Sequence, residues 1–167
     1  MDLPKKFTGK GNEINVIIDT PRGSNHKYKY DKKFNGFKLN SVLPAGTVFP
    51  LNFGFIPGTK GEDGDQIDVL VISDHSFITG CLLECRLIGV IEAVQKDGKN
   101  PGERNDRLVA VPTESHIHSS LKSLLDMDKN HLREIIDFFK YYNALRGGKF
   151  ELLGVKGPAV ALKCIKK

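Results

Sequence analysis

The hydrophobic pattern of this chain changes period once: short β-like runs broken by turn residues fill the first two thirds, and a helical period takes over after Thr113. Residues 13–20, rich in isoleucine and valine, predict a strand that Pro21 ends, with Asp19 close to that end. Residues 26–31 alternate, so a strand there sends Lys27, Lys29 and Asp31 to one face and Tyr28 and Tyr30 to the other. Between residues 37 and 55, short apolar pieces are interrupted by Pro44, Gly46, Pro50 and Gly54, and Phe49, Phe53 and Phe55 read as core packing. Val69-Leu70-Val71-Ile72 predicts a buried strand, residues 82–94 form the longest β-like run, and residues 107–112 return as a strand after a polar loop over 95–106.

The helical part begins with Asp128 as a cap and runs to about Arg146, placing Leu132, Ile135, Ile136, Phe139 and Tyr142 on one stripe before Gly147-Gly148 stops it. Residues 150–156 predict a further strand, and Pro158 opens a short final helix. Strands first and helices last give an α+β, β-rich class: a closed or partly open barrel with flanking C-terminal helices.

Composition narrows this only slightly. With 167 residues, no repeat and no linker-like run, the chain is expected to form one domain over 1–167. A net charge of +5 suits a polyanionic ligand or plain solubility, since the lysines are scattered, and no nucleic-acid-reading motif is present. Cys81, Cys85 and Cys164 have neither metal spacing nor an even count, which suits reduced thiols. His116 and His118 lack a third ligand at useful spacing and are assigned to the surface. The start lacks a signal-type apolar segment and no run approaches membrane-spanning length, so the expectation is a soluble intracellular protein with no membrane partner.

The stretch Asp63-Gly64-Asp65-Gln66-Ile67-Asp68 carries the chemistry. A regular strand would separate Asp68 from Asp63 and Asp65, so their convergence requires a loop that bends at Gly64 into the strand. Two readings stand. Short acidic loops are usually solvated Asp-Gly turns; converging carboxylates instead repel one another unless a hard divalent cation, Mg²⁺ above all, lies between them.

That hexapeptide resembles the Asp-Gly-Asp-Pro-hydrophobic-Asp motif of the soluble family I inorganic pyrophosphatases. Residues 16–21, Lys27-Tyr28, residues 49–56, residues 108–112 and the helix carrying Phe138, Phe139 and Tyr142 also fall in that family's order at near-family spacing. The resemblance implies an OB-like five-stranded barrel with flanking helices, Mg²⁺ (or Mn²⁺) as cofactor, pyrophosphate as substrate, and a cytoplasmic homo-oligomer. It further implies that Asp63 and Asp68 are metal ligands, that Asp65 is the base orienting the attacking water, that Lys27 and Arg107 contact phosphate, and that Tyr142 donates a hydrogen bond to it.

The departures bear on activity. Asp19 stands where the family has Glu, and would reach a metal through water; Lys29 also replaces a Glu, reversing its charge. Ser41 and Asn143 replace phosphate-gripping cations, Phe49 and Phe53 replace tyrosines, Gln95 and Asn105 replace aspartate ligands, and Arg107 replaces a lysine. Asp97 and Asp106, in a loop longer than usual, are candidates to restore the missing metal charge. Two expectations follow: a working Mg²⁺-dependent pyrophosphatase, or a relative acting on another phosphoanhydride, on one side; a non-catalytic binder of phosphate compounds or of a protein partner on the other.

Overall fold

The structure is a computed structural model that describes residues 3–9, 11–62, 64–96 and 101–166. Among the described residues the strands are β1 (Glu13–Thr20), β2 (His26–Asp31), β3 (Gly36–Val42), β4 (Asn52–Phe55), β5 (Asp68–Val71), β6 (Leu82–Lys96), β7 (Glu103–Arg104), β8 (Arg107–Pro112) and β9 (Lys149–Lys156). Two α-helices, α1 (Lys129–Leu145) and α2 (Pro158–Lys166), flank β9 in sequence. The pairings run β1–β4, β4–β5, β5–β8 and β8–β6, and then β6 pairs with β1, so five strands return on themselves. β9 and β7 add to the far end of β6, while β2 and β3 form a separate hairpin. This is the β-rich, OB-like barrel with C-terminal helices that the pattern and the resemblance predict.

The apolar runs are continuous because both faces of the central strands are covered. Val69, Val71, Leu108 and Ala110 pack on one side with Ala161 and Ile165 of α2. Leu70, Val109 and Val111 pack on the other with Ile135, Phe139 and Tyr142 of α1. In β6 the parity changes: Cys85 and Leu87 belong to the α2 side, Ile88 and Ile91 to the α1 side, and Val90 again to the α2 side. A register slip between Leu87 and Gly89 accomplishes the change. Only glycine fits there, since a side chain at position 89 would run into Leu124 and the Lys156 carbonyl.

Helix α1 starts where its cap requires: the Asp128 carboxylate accepts from the Asn130 and His131 amides, both at 3.0 Å. Its stripe lies against β9, and near the helix's C-terminal end the ring of Tyr142 packs with those of Phe49 and Phe138. Among the described residues no helix is long and apolar enough to cross a membrane.

Candidate active site

Strand register builds the site. Val69 pairs with Leu108 in the parallel β5–β8 ladder, so the preceding residues, Asp68 and Arg107, are brought side by side at the strand starts. Both point to the α1 side, by alternation from Leu70 and Val109. Arg107 Nη1 lies 3.2 Å from Asp68 Oδ2. The guanidinium sits 5.8 Å and 5.6 Å from the ring centroids of Phe53 and Phe139, and the Asn105 side-chain oxygen accepts from it. Arg107 is only 5% exposed, and its Nε–H has no partner.

Opposite this wall, the β2–β3 hairpin closes a cleft of about 620 Å³. The ammonium of Lys27 is 4.8 Å from the Phe53 ring centroid and 5.8 Å from that of Tyr142. Lys29 reaches across to Asp65 at 2.5 Å. Gly64, at φ +83°, supplies the left-handed bend that delivers Asp65 to this position. Arg146 donates from Nη1 to the Tyr142 hydroxyl at 2.6 Å.

The electrostatics centre on Asp19, whose carboxyl is buried and whose Oδ1 has no hydrogen-bond partner. Burial pushes it up to about 7; the charge of Lys27 opposes this and that of Asp68 adds to it. Asn105 donates to the Gln95 side-chain oxygen at 3.1 Å, so the stretch beside Arg107 presents neutral amides.

A sequence model of the family described as inorganic pyrophosphatase matches residues 16–167 of this chain. The chain belongs to the inorganic pyrophosphatase family. Among its relatives are proteins named inorganic pyrophosphatase from a Synechocystis species, 36% identical over 95% of this chain and 90% of that protein, and from Halalkalibacterium halodurans, 38% identical over 91% and 90%. The solved structure of the Thermus thermophilus inorganic pyrophosphatase superposes with a TM-score of 0.89 at 29% identity, covering 98% of this chain and 92% of that one. That of the Neisseria gonorrhoeae inorganic pyrophosphatase does so with 0.87 at 35%, covering 97% and 92%.

Of the pyrophosphatase residues expected from the sequence, Asp19, Lys27, Asp65, Asp68, Arg107 and Tyr142 all line the one cleft. Asp63 and Asp97 lie outside the described residues. Asp106 does not line this cleft: it lines a neighbouring cavity of about 300 Å³ that Gln66, Asp68 and Asn105 also border, and its carboxylate accepts from Arg104 at 2.6 Å and from the Ala93 amide at 3.1 Å. Asn143 is turned into the helix, donating to the Phe139 carbonyl at 2.8 Å. The Ser41 hydroxyl is buried without a partner. Arg146 and Gln66 also line the cleft and went unread in the sequence, as did Lys32, Lys33, Lys38 and Asn40 of the hairpin side. Arg146 was legible in principle, since it lies four residues after Tyr142 on the same helix face.

Inorganic pyrophosphatases are metal-dependent in general, so the donor set bears on how much metal this cleft suits. Asp19, with a buried oxygen left unpaired, and Asp68, whose charge acts on it, are hard oxygen donors of the kind a divalent cation takes, whereas Asp65 lines the same cleft paired with Lys29. The Gln95–Asn105–Arg107 wall does not fit one, because amides carry no charge and a guanidinium repels a cation. Among the described residues, no three acidic, histidine or cysteine side chains gather closely enough to hold a metal by themselves.

Proposed function

We propose that this chain hydrolyses inorganic pyrophosphate to two phosphates with Mg²⁺ as cofactor, Mn²⁺ being the alternative ion, in the cytoplasm and as a homo-oligomer. The observation that carries this reading is the meeting of Asp65, Asp68, Lys27, Arg107 and Tyr142 on one cleft in a chain of this family. Asp19 and Asp68 would hold the metal, together with Asp63. What Mg²⁺ supplies there when bound is positive charge at the phosphoryl oxygens and a more acidic water.

The chain's own groups do the rest. Lys27, held over two aromatic faces, is a fixed cation for one phosphate. The Tyr142 hydroxyl accepts from Arg146 and so keeps its own proton to donate to a phosphoryl oxygen. Arg107 offers a guanidinium that cannot lose its charge. Asp65 takes a proton from the attacking water as the new oxygen–phosphorus bond forms and the bond to the bridging oxygen breaks, releasing the second phosphate.

With Mg²⁺, purified protein is expected to release phosphate from pyrophosphate, and Asp65→Asn is expected to reduce release to background in a colorimetric phosphate assay. Equal rates for the two proteins would overturn the reading. One observation favours a second: Lys29 occupies Asp65 at 2.5 Å, which suits a protein that binds phosphate compounds with little turnover, or one that cleaves a different phosphoanhydride. A panel of nucleotides and short polyphosphates, run with Mg²⁺ and with Mn²⁺, separates these.

A further inference from the structure

The carboxylates of the cleft each face a cation of the protein. Lys29 lies 2.5 Å from Asp65 and Arg107 lies 3.2 Å from Asp68, while Asp19 lies within the field of Lys27. Across the whole lining, seven lysines and arginines stand against four aspartates. The cation best built in is Arg107. It is buried, wedged between Phe53 and Phe139, and bonded to Asn105, whose amide is in turn tied to Gln95. It also retains one N–H without a partner. A divalent ion placed on that wall would meet a fixed positive charge and neutral oxygens, whereas a polyanion would meet attraction.

We propose that the guanidinium of Arg107, on its wall of neutral amides, is a built-in cation that takes over charge neutralisation a metal ion would otherwise supply, so that this cleft binds pyrophosphate free of any divalent ion. The proposal rests on the reading that pyrophosphate is the ligand of the cleft. It confines the metal requirement to the Asp19–Asp68 wall. Affinity for metal-free pyrophosphate then belongs to the protein's own charge. Asn105 holds that balance, because a carboxylate at its position would pair with Arg107 and give the wall a hard anionic donor.

Isothermal titration calorimetry decides it. In EDTA, wild-type protein is expected to bind pyrophosphate, and Arg107→Gln to bind it at least about tenfold more weakly, with Arg107→Lys between the two. Asn105→Asp, which keeps Arg107, is expected to weaken metal-free binding and to increase Mg²⁺ uptake when Mg²⁺ is titrated alone. Circular dichroism checks that each variant is folded, and should Arg107→Gln not fold, Asn105→Asp carries the test. If wild type binds pyrophosphate only after Mg²⁺ is added, or if folded Arg107→Gln and Asn105→Asp bind it in EDTA as wild type does, the built-in cation is overturned while the proposed hydrolysis stands. No binding with or without Mg²⁺, and no phosphate released, would instead remove pyrophosphate as the ligand.

Discussion

At the scale of single residues, Asp19 has the clearest physical consequence. Its buried carboxyl titrates near 7 in the folded chain against an ordinary 3.8, so both states hold the proton below that ordinary value. As pH rises through the interval the unfolded chain releases its proton while the folded chain keeps it, and stability falls until the folded group has also ionised. In EDTA, wild type is expected to lose roughly 2 to 3 kcal/mol between pH 5 and pH 8 from this group, lowering the melting temperature by about 5 to 10 °C. Asp19→Asn should flatten that slope in a thermal melt. That Asp65, Asp68, Lys27 and Tyr142 share one cleft was legible, because the acidic loop and its neighbours resemble a family's motif at near-family spacing. The partners of Lys29 and Asp106 were not, since a charge at one position says nothing about which loop folds across to meet it. Arg104, two residues before Asp106 and also paired with Glu92, is what holds that carboxylate in the neighbouring cavity.

Among elements, α1 was the easiest to read. Its cap, its apolar stripe and its glycine stop agree with one another, and the observed helix over Lys129–Leu145 follows all three. Asp128→Ala removes the acceptor for two helix-start amides and is expected to cost about 1 kcal/mol, visible as a fall of about 2 to 4 °C in melting temperature. β6 was harder. Its apolar residues read as one run, yet the slip at Leu87–Gly89 divides it into two stretches that point opposite ways. A glycine within an apolar strand signals such an event, but not which neighbour presses upon it. In the hairpin strand β2 alternation does hold: Lys27 and Lys29 line one cleft, the first over Phe53 and the second at Asp65, and the extra residue of the hairpin's register slip is Asn40 on β3.

For the whole molecule, a net charge of +5 says little by itself, because scattered lysines have many uses. The fold gives it direction by gathering seven cationic residues around one cleft. Pyrophosphate affinity is therefore expected to fall by about tenfold or more as NaCl rises from roughly 50 to 500 mM, as exposed charges become screened. Titrations at several salt concentrations measure this, and an affinity indifferent to salt would mean that buried Arg107 alone carries the attraction. The barrel itself was predictable as a class from many short strands and turn residues. Its seam was not, because Glu13 lies opposite Arg86 and no local pattern announces a partner so distant.

That seam also affects how the chain emerges during synthesis. A ribosome releases β1 before either of its partners, with both edges open; β4 covers one, and the other waits for β6. The circle is complete only once β8 has slotted between β5 and β6. Between the release of β1 and that of β6, then, the nascent polypeptide carries one of its stickiest segments partly unsheltered, which makes this stretch the natural place for a chaperone to hold on.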